Sequence, residues 1–446
     1  MKSINNKLIA GATAALLAST SSYADNTSDI ALLKKQIAQL MQQLENQSKQ
    51  TQALETKSNQ LELKSIALEE QSQALIDETS DLKTGFNYTK VDTTKSYSGM
   101  GAAASKVYYS KSPLSIGGYA KVDYYHQSKE GVNDVDNIDV YRFIPYIGYK
   151  FTDNIIMNAE IEFEHGGIKD GAAGDGYVIM EFLYLDFLFN KNFNLRVGNQ
   201  LMPMGLLNQK HEPTLFTTVQ RPNTSKKLIP STWHENGVMA YGKITDDLAY
   251  QVGAFSGLQL SKGAGEGNDW LRDSRLGSFR ADSAGGERLG LALSGRLDYT
   301  GINGLLLGAS TYVDSNVIMG DVHFDYSQDA FRTYGVYTMT DRTDTVTGEP
   351  ERAQGGFVNF SYDMRSMISG FDKKLPVFFQ YETVSAQDKV TNGASVDSTD
   401  TATIGINFFP HEQIVLKADY AMTKDNSKAS SQDETNIFSL SMGFVF

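Results

Sequence analysis

From Leu114 onward, apolar and polar side chains alternate with a period of two, the spacing of a strand whose faces meet different surroundings. Ile155, Met157, Ala159, Ile161 and Phe163 alternate with Ile156, Asn158, Glu160, Glu162 and Glu164, so one row is greasy and the other carries three carboxylates. Leu289, Leu291, Leu293, Leu297 and Tyr299 alternate likewise with Arg288, Ala292, Ser294, Arg296 and Asp298. Sixteen such segments fit near 115–126, 139–151, 154–165, 177–189, 193–200, 237–244, 248–256, 288–299, 304–313, 317–326, 331–340, 354–363, 375–384, 401–409, 414–423 and 436–446. Odd-to-even connections are long, among them 126–137, 201–236 and 257–287, whereas even-to-odd ones such as 152–153, 245–247 and 410–413 are mostly tight. Only 363–374, too long, and the short link at Ser315 depart from that rule. Long loops at one rim and short turns at the other mark outer-membrane barrels. The pattern therefore predicts an all-β transmembrane barrel over 114–446, a 16-stranded antiparallel outer-membrane β-barrel.

Ahead of residue 114 the period is different. Leu33, Leu40, Gln47, Leu54, Leu61, Leu68, Leu75 and Leu82 recur every seven residues, with Ile30, Ile37 and Leu44 and then Thr51, Ser58, Ser65, Ser72 and Thr79 at the companion positions. So narrow a stripe buries itself only against other helices, which predicts an N-terminal α-helical coiled coil over 25–84 and an oligomer, here expected to be a homotrimer. Residues 85–113 are rich in Ser, Thr, Gly and Tyr and read as a linker or plug-like segment. Lys2 and Lys7, the apolar run 8–18 and Ser22-Tyr23-Ala24 follow the order of a secretory signal peptide over 1–24. An even strand count leaves both chain ends on the short-turn side, which places the coiled coil in the periplasm.

Composition narrows the class. With 53 Asp+Glu against 40 Lys+Arg and a net charge of -13, no nucleic-acid partner is expected. The absence of cysteine removes disulfides, thiolate chemistry and thiolate metal sites. No run of roughly 18 apolar residues offers a membrane-spanning helix. The six histidines are scattered, and Glu164-His165 and His211-Glu212 have no third ligand at a suitable spacing, so neither a metal nor another cofactor is expected. No Ser/His/Asp or paired-carboxylate arrangement suggests catalytic residues, so an enzyme is not expected.

The text LMPMGLLNQKHEPTLFTTVQRPNTSKKLIPSTWHENGV at 201–238, preceded by Gly198-Asn199-Gln200, resembles the phosphate-selective porin O and P family. In that family a Gly-Asn-Gln strand end, a Pro-x-Gly-Leu step, an Arg-Asn/Pro stretch and a Pro-x-x-Trp segment recur at these spacings. The resemblance extends more loosely over 114–446, through GGYAKVDYY and RLGLALSGRLDY, and the final strand ending in Phe446 resembles the outer-membrane assembly signal. It implies an outer-membrane porin, a water-filled channel for passive diffusion of small hydrophilic solutes, with the loop at 201–236 folded into the lumen. Trimeric relatives carrying an N-terminal coiled coil fit the repeat of 30–82.

Lysine and arginine rings at a pore's narrowest point favour anions, and carboxylate rings favour cations. The 201–236 loop carries Lys210, His211, Arg221, Lys226 and Lys227 against Glu212 and Glu235. By strand parity Arg142, Arg196, Arg288 and Arg296 face inward with Lys121, Lys150 and Lys417, but so do Asp123, Glu160, Glu162, Glu164, Asp186, Asp298, Glu382 and Asp419. The expected anion path therefore comprises Lys210, Arg221, Lys226, Lys227, Arg142, Arg196, Arg288 and Arg296. Its solutes would be small anions, phosphate or organic, besides neutral molecules. Tyr124, Tyr141, Tyr149, Phe151, Phe408 and Phe444 are expected in aromatic girdles facing outer-membrane lipid. The alternative is a closed barrel that serves as a structural tether through its periplasmic coiled coil.

Overall fold

The computed structural model describes residues 27–84, 90–167, 176–260, 267–275, 290–395, 398–426 and 434–446. The expected signal peptide and Arg288 lie outside the described residues. Thr27–Thr84 forms one uninterrupted helix, α1, of 58 residues. Good helix formers fill it, no Pro or Gly breaks it, and the heptad leucines Leu33, Leu40, Leu54, Leu61 and Leu68 stand exposed along it.

Residues 87–446 form a separate compact unit. Its sixteen strands are β1 Leu114–Lys129, β2 Val132–Thr152, β3 Ile155–Glu164, β4 Val178–Leu188, β5 Asn194–Leu201, β6 His234–Lys243, β7 Leu248–Ser256 and β8 Leu291–Ile302, followed by β9 Leu305–Val313, β10 Val317–Gln328, β11 Phe331–Arg342, β12 Pro350–Asp363, β13 Pro376–Val390, β14 Thr399–His411, β15 Ile414–Asp425 and β16 Glu434–Val445. Each pairs antiparallel with its neighbour in sequence, and β1 meets β16 from Tyr119↔Val445 to Lys129↔Thr435, so the barrel closes. Closure leaves no unpaired edge, which a sheet in hydrocarbon cannot tolerate. The ladder runs to the last residue: Phe446 N–H donates to Gly118 O and Gly118 N–H to Phe446 O, both at 2.9 Å.

Outward rows such as Leu291, Leu293, Ile318, Val322, Ile404, Leu416 and Met442 are exposed and apolar, the lipid belt of a barrel. Short turns collect at one rim. The Asn303-Gly304 turn is the tightest kind: Gly304 has φ +76°, and a side chain there would meet Ser327 O at 2.1 Å. The two departures from parity are real, since 364–375 is long and β9 passes to β10 through 314–316 alone.

Three expectations need correction. The loop expected at 126–137 is strand almost throughout, with β1 and β2 paired up to Lys129↔Val132. There both faces are wet, so the greasy-polar contrast that betrays a membrane strand fades. The segment 85–113, where described, takes the plug-like form of the two expected and not that of a slack linker: Ala102–Tyr109 forms a buried helix, α2, lying inside the barrel against β1–β3. Tyr141 does not join a lipid girdle. A bulge between Lys121↔Arg142 and Asp123↔Asp139 turns it toward the lumen, where Lys121 Nζ sits 4.8 Å from its ring.

Two apolar clusters lie inside the barrel, a smaller one where α2 packs on Tyr119, Ile144, Tyr146 and Phe182, and a larger one under the long loop. Met202, Met204, Leu206, Leu228, Ile229 and Trp233 of the β5–β6 loop pack on inward-facing Met239, Tyr241, Phe255, Tyr312, Met319, Tyr334 and Phe357. From β6 to β12 the inner wall is therefore partly greasy, because the loop rather than water covers it.

Candidate functional site

The loop 202–233 crosses the lumen and is fastened to the wall at many points. Its main chain does most of the fastening. Gly205 N–H donates to Asp321 (2.9 Å) on β10, Thr217 N–H to the Tyr334 hydroxyl (3.0 Å) on β11, and Val219 N–H to Asp419 (2.6 Å) on β15. Lys417 Nζ donates to Phe216 O (2.7 Å) and Thr218 O (3.0 Å), and Lys121 Nζ to Val219 O (2.7 Å). Inward charges that parity alone cannot interpret thus serve as anchors for an irregular backbone whose polar groups would otherwise go unmet.

A single π-helical turn, Thr224–Leu228, sets the height of Lys226 and Lys227. Glu382 on β13 holds that turn: it accepts from Asn223 N–H (3.0 Å), Thr224 N–H (2.6 Å) and the Thr224 hydroxyl (2.8 Å). Backbone amides at the start of a turn are a favourable seat for a carboxylate.

On the far side α2 props the loop. Glu212 accepts from the Ala103 (2.9 Å) and Ala104 (3.1 Å) amides at the helix start, and Asn158 Nδ2 donates to Ala104 O (2.8 Å). Gly148 on β2 makes room, since a Cβ there would lie 2.4 Å from the Val107 side chain.

Between loop and wall runs a narrow cleft lined by Tyr119, Lys121, Tyr141, Arg142, His211, Phe216, Arg221 and Lys226 among others, enclosing only about 20 Å³. That is room for roughly one water. Two of its cations are tied down: Arg142 pairs with Glu162 (2.9 Å) and Glu164 (2.6 Å), and Lys121 with Asp123 (2.6 Å). Among the described residues Arg221 donates to the hydroxyls of Ser231 (2.9 Å) and Thr232 (3.0 Å) alone. Among the described residues neither Arg221 nor Lys226 makes an ion pair with a carboxylate. Burial pushes the Lys226 ammonium down to about 8, against the pull of Glu382 and with the help of Lys227, Lys121 and Arg221.

The remaining sequence candidates are dispersed. Lys227 pairs with Asp269 (3.4 Å). Lys210 stands 3.9 Å from Asp325 at the short-turn side. Arg196, 1% exposed, is held bidentately by Asp186 at 2.9 Å twice and lies over Tyr184, bracing α2 through Tyr108. Arg296 is buried between Asp298 (2.8 Å) and His323 (2.7 Å) and also holds Gly205 O. Of the eight, Arg142, Arg221 and Lys226 come together at the cleft.

A larger chamber of about 1100 Å³ opens at the short-turn rim. It presents Lys95, Lys210, Arg332, Arg365, Lys373 and Lys374 against Asp325, Asp372 and Glu412. Sequence reasoning missed this basic chamber, although the overlong 363–374 link that carries Lys373 and Lys374 was a signal. It also missed a third partner for His211: the loop brings that ring to Glu160 and Glu181, far away in the chain.

A closed sixteen-strand barrel with a greasy outer belt, entered by a long folded-in loop, defines the porin class of outer-membrane channels. Residues 146–446 match the family described as phosphate-selective porin O and P, and the chain belongs to it. An uncharacterized protein of Aquifex aeolicus (strain VF5) is 32% identical over 362 residues, covering 73% of this chain and 79% of that one. Among solved structures, Salmonella typhi OmpF in complex with daunomycin superposes with a TM-score of 0.53 at 12% identity, over 75% of this chain and 97% of its own. The outer-membrane channel DcaP of Acinetobacter baumannii gives 0.49 at 13% identity, over 75% of this chain and 97% of its own.

Proposed function

We propose that this porin is a homotrimer that passes small hydrophilic solutes down their gradient and prefers anions, phosphate or small organic anions among them. The observation that carries the preference is the pair Arg221 and Lys226, charges at the neck that form no ion pair with a described carboxylate, lining the cleft with Lys121 and Arg142. A solute squeezed there sheds water, and a fixed cation replaces that hydration for an anion only. The basic chamber at the short-turn mouth adds a region where anions concentrate. A neck this tight passes a solute only as the long Arg221 and Lys226 side chains swing with it.

The exposed leucine stripe of α1 supports assembly through a coiled coil. β1 begins and β16 ends at the short-turn rim of the barrel, which supports a periplasmic location for α1.

Swelling of proteoliposomes containing the full-length protein tests the reading. Small neutral sugars should enter, and phosphate or dicarboxylates should enter faster than cations of similar size. Substituting Arg221→Ala and Lys226→Ala together should erase that difference. Vesicles that never swell would instead favour the tether.

A further inference from the structure

Glu160 on β3, Glu181 on β4 and His211 on the constriction loop bring one imidazole nitrogen and two carboxylate oxygens within 4.8 Å of one another. Their exposures are 0%, 1% and 3%. Glu181 arrives by a β-bulge: between Glu160↔Phe182 and Ile161↔Met180 it is the extra residue, so the local reversal of parity turns it inward.

The hydrogen bonds make these groups face one another as acceptors. His211 Nδ1 lies 2.8 Å from Asn208 O, and a carbonyl only accepts, so that contact assigns the ring proton to Nδ1. Nε2 then points its lone pair at Glu160 Oε1, 3.3 Å away. The Oε2 atoms of both Glu160 and Glu181 are buried without a hydrogen-bond partner among the described residues. Neighbouring carboxylates have cationic or amide partners of their own, Glu162 and Glu164 in ion pairs with Arg142 and Glu212 through Oε1 at the amides of α2. No described lysine or arginine pairs with Glu160 or Glu181. Three converging lone pairs in a dry setting call for a cation between them.

We propose that Glu160, Glu181 and His211 bind a divalent cation of the zinc class, which ties the constriction loop to the β3–β4 wall. One nitrogen and two carboxylate oxygens suit zinc, cobalt or manganese, whereas magnesium and calcium take all-oxygen sets. The backbone bond that fixes the imidazole is the usual support of a metal-bound histidine.

The test uses the full-length protein in detergent, stripped with EDTA and titrated with Zn²⁺ by calorimetry and with Co²⁺ by visible absorption. One ion per chain is expected, and Mg²⁺ in roughly hundredfold excess should not compete. Glu181→Gln or His211→Gln should weaken binding roughly tenfold or more, while Lys226→Ala leaves it unchanged. Heat-modifiable electrophoresis checks that each variant is an assembled barrel. If His211→Gln fails to assemble, the wall variant Glu181→Gln decides. Binding that is absent, that survives Glu181→Gln, or that yields to Mg²⁺ overturns the proposal, the first leaving a proton shared by the two carboxylates.

Discussion

The charges inside the barrel divide by their partners. Arg196 and Arg221 are both inside, yet the first is locked to Asp186 and the second, among the described residues, bonds hydroxyls alone. Their alanine variants should therefore differ in kind. Arg196→Ala leaves a buried carboxylate unpaired and should cost about 3–5 kcal/mol in urea unfolding with little change in ion selectivity. Arg221→Ala should do the reverse. Lys226 adds a pH dependence. Because burial lowers its pKa to about 8, it is charged below that value and loses its proton as pH rises through it. Anion selectivity should accordingly fall between pH 7 and 9, and Lys226→Arg should abolish the fall because guanidinium stays protonated. Reversal potentials across that range measure both. At this scale parity told which residues point inward, but not which charges are neutralised, since that depends on partners such as Asp186, opposite Arg196 on the next strand, and Asp269, which meets Lys227 from another loop. Tyr141 was misread, and Glu181 left out of the inward row, because at each a bulge inserts one residue and reverses the count.

Among the elements, the loop 202–233 and helix α2 act as one insert. The turn at Thr224–Leu228 depends on Glu382, whose three accepted hydrogen bonds are charge-assisted. Glu382→Ala should free the turn, so that selectivity drops and open-channel current noise rises even though Lys226 is intact. Trp233, fully buried where the loop rejoins β6 and tilted against Tyr312 with ring centroids 5.0 Å apart, anchors the other end. Trp233→Ala should cost about 3–5 kcal/mol and give a larger, noisier single-channel conductance. The loop's length and basic residues were legible in the sequence. Its inner apolar face was not, because Met202, Leu206 and Leu228 follow no helical or strand period. Nor was α2: eight residues nucleate no helix by themselves, and its stability comes from Glu212, Asn158 and the space over Gly148.

The whole molecule joins a barrel with a greasy outer belt to a helix whose leucine stripe stands exposed. Both were legible because each follows one repeat, two residues for the wall and seven for α1, over a long stretch. The strand order could be read as well, since in an up-and-down barrel each strand pairs with its neighbour in sequence. Removing 26–83 should lower the temperature at which the oligomer dissociates on electrophoresis while leaving the conductance of each pore unchanged. The most direct test of the central claim is the zero-current potential of the full-length protein in a planar bilayer under a tenfold KCl gradient. Stepwise channels with a potential of the sign given by chloride exceeding potassium are predicted, reduced toward zero by Arg221→Ala with Lys226→Ala. A membrane that stays silent, or a potassium-selective potential unmoved by those substitutions, would contradict it.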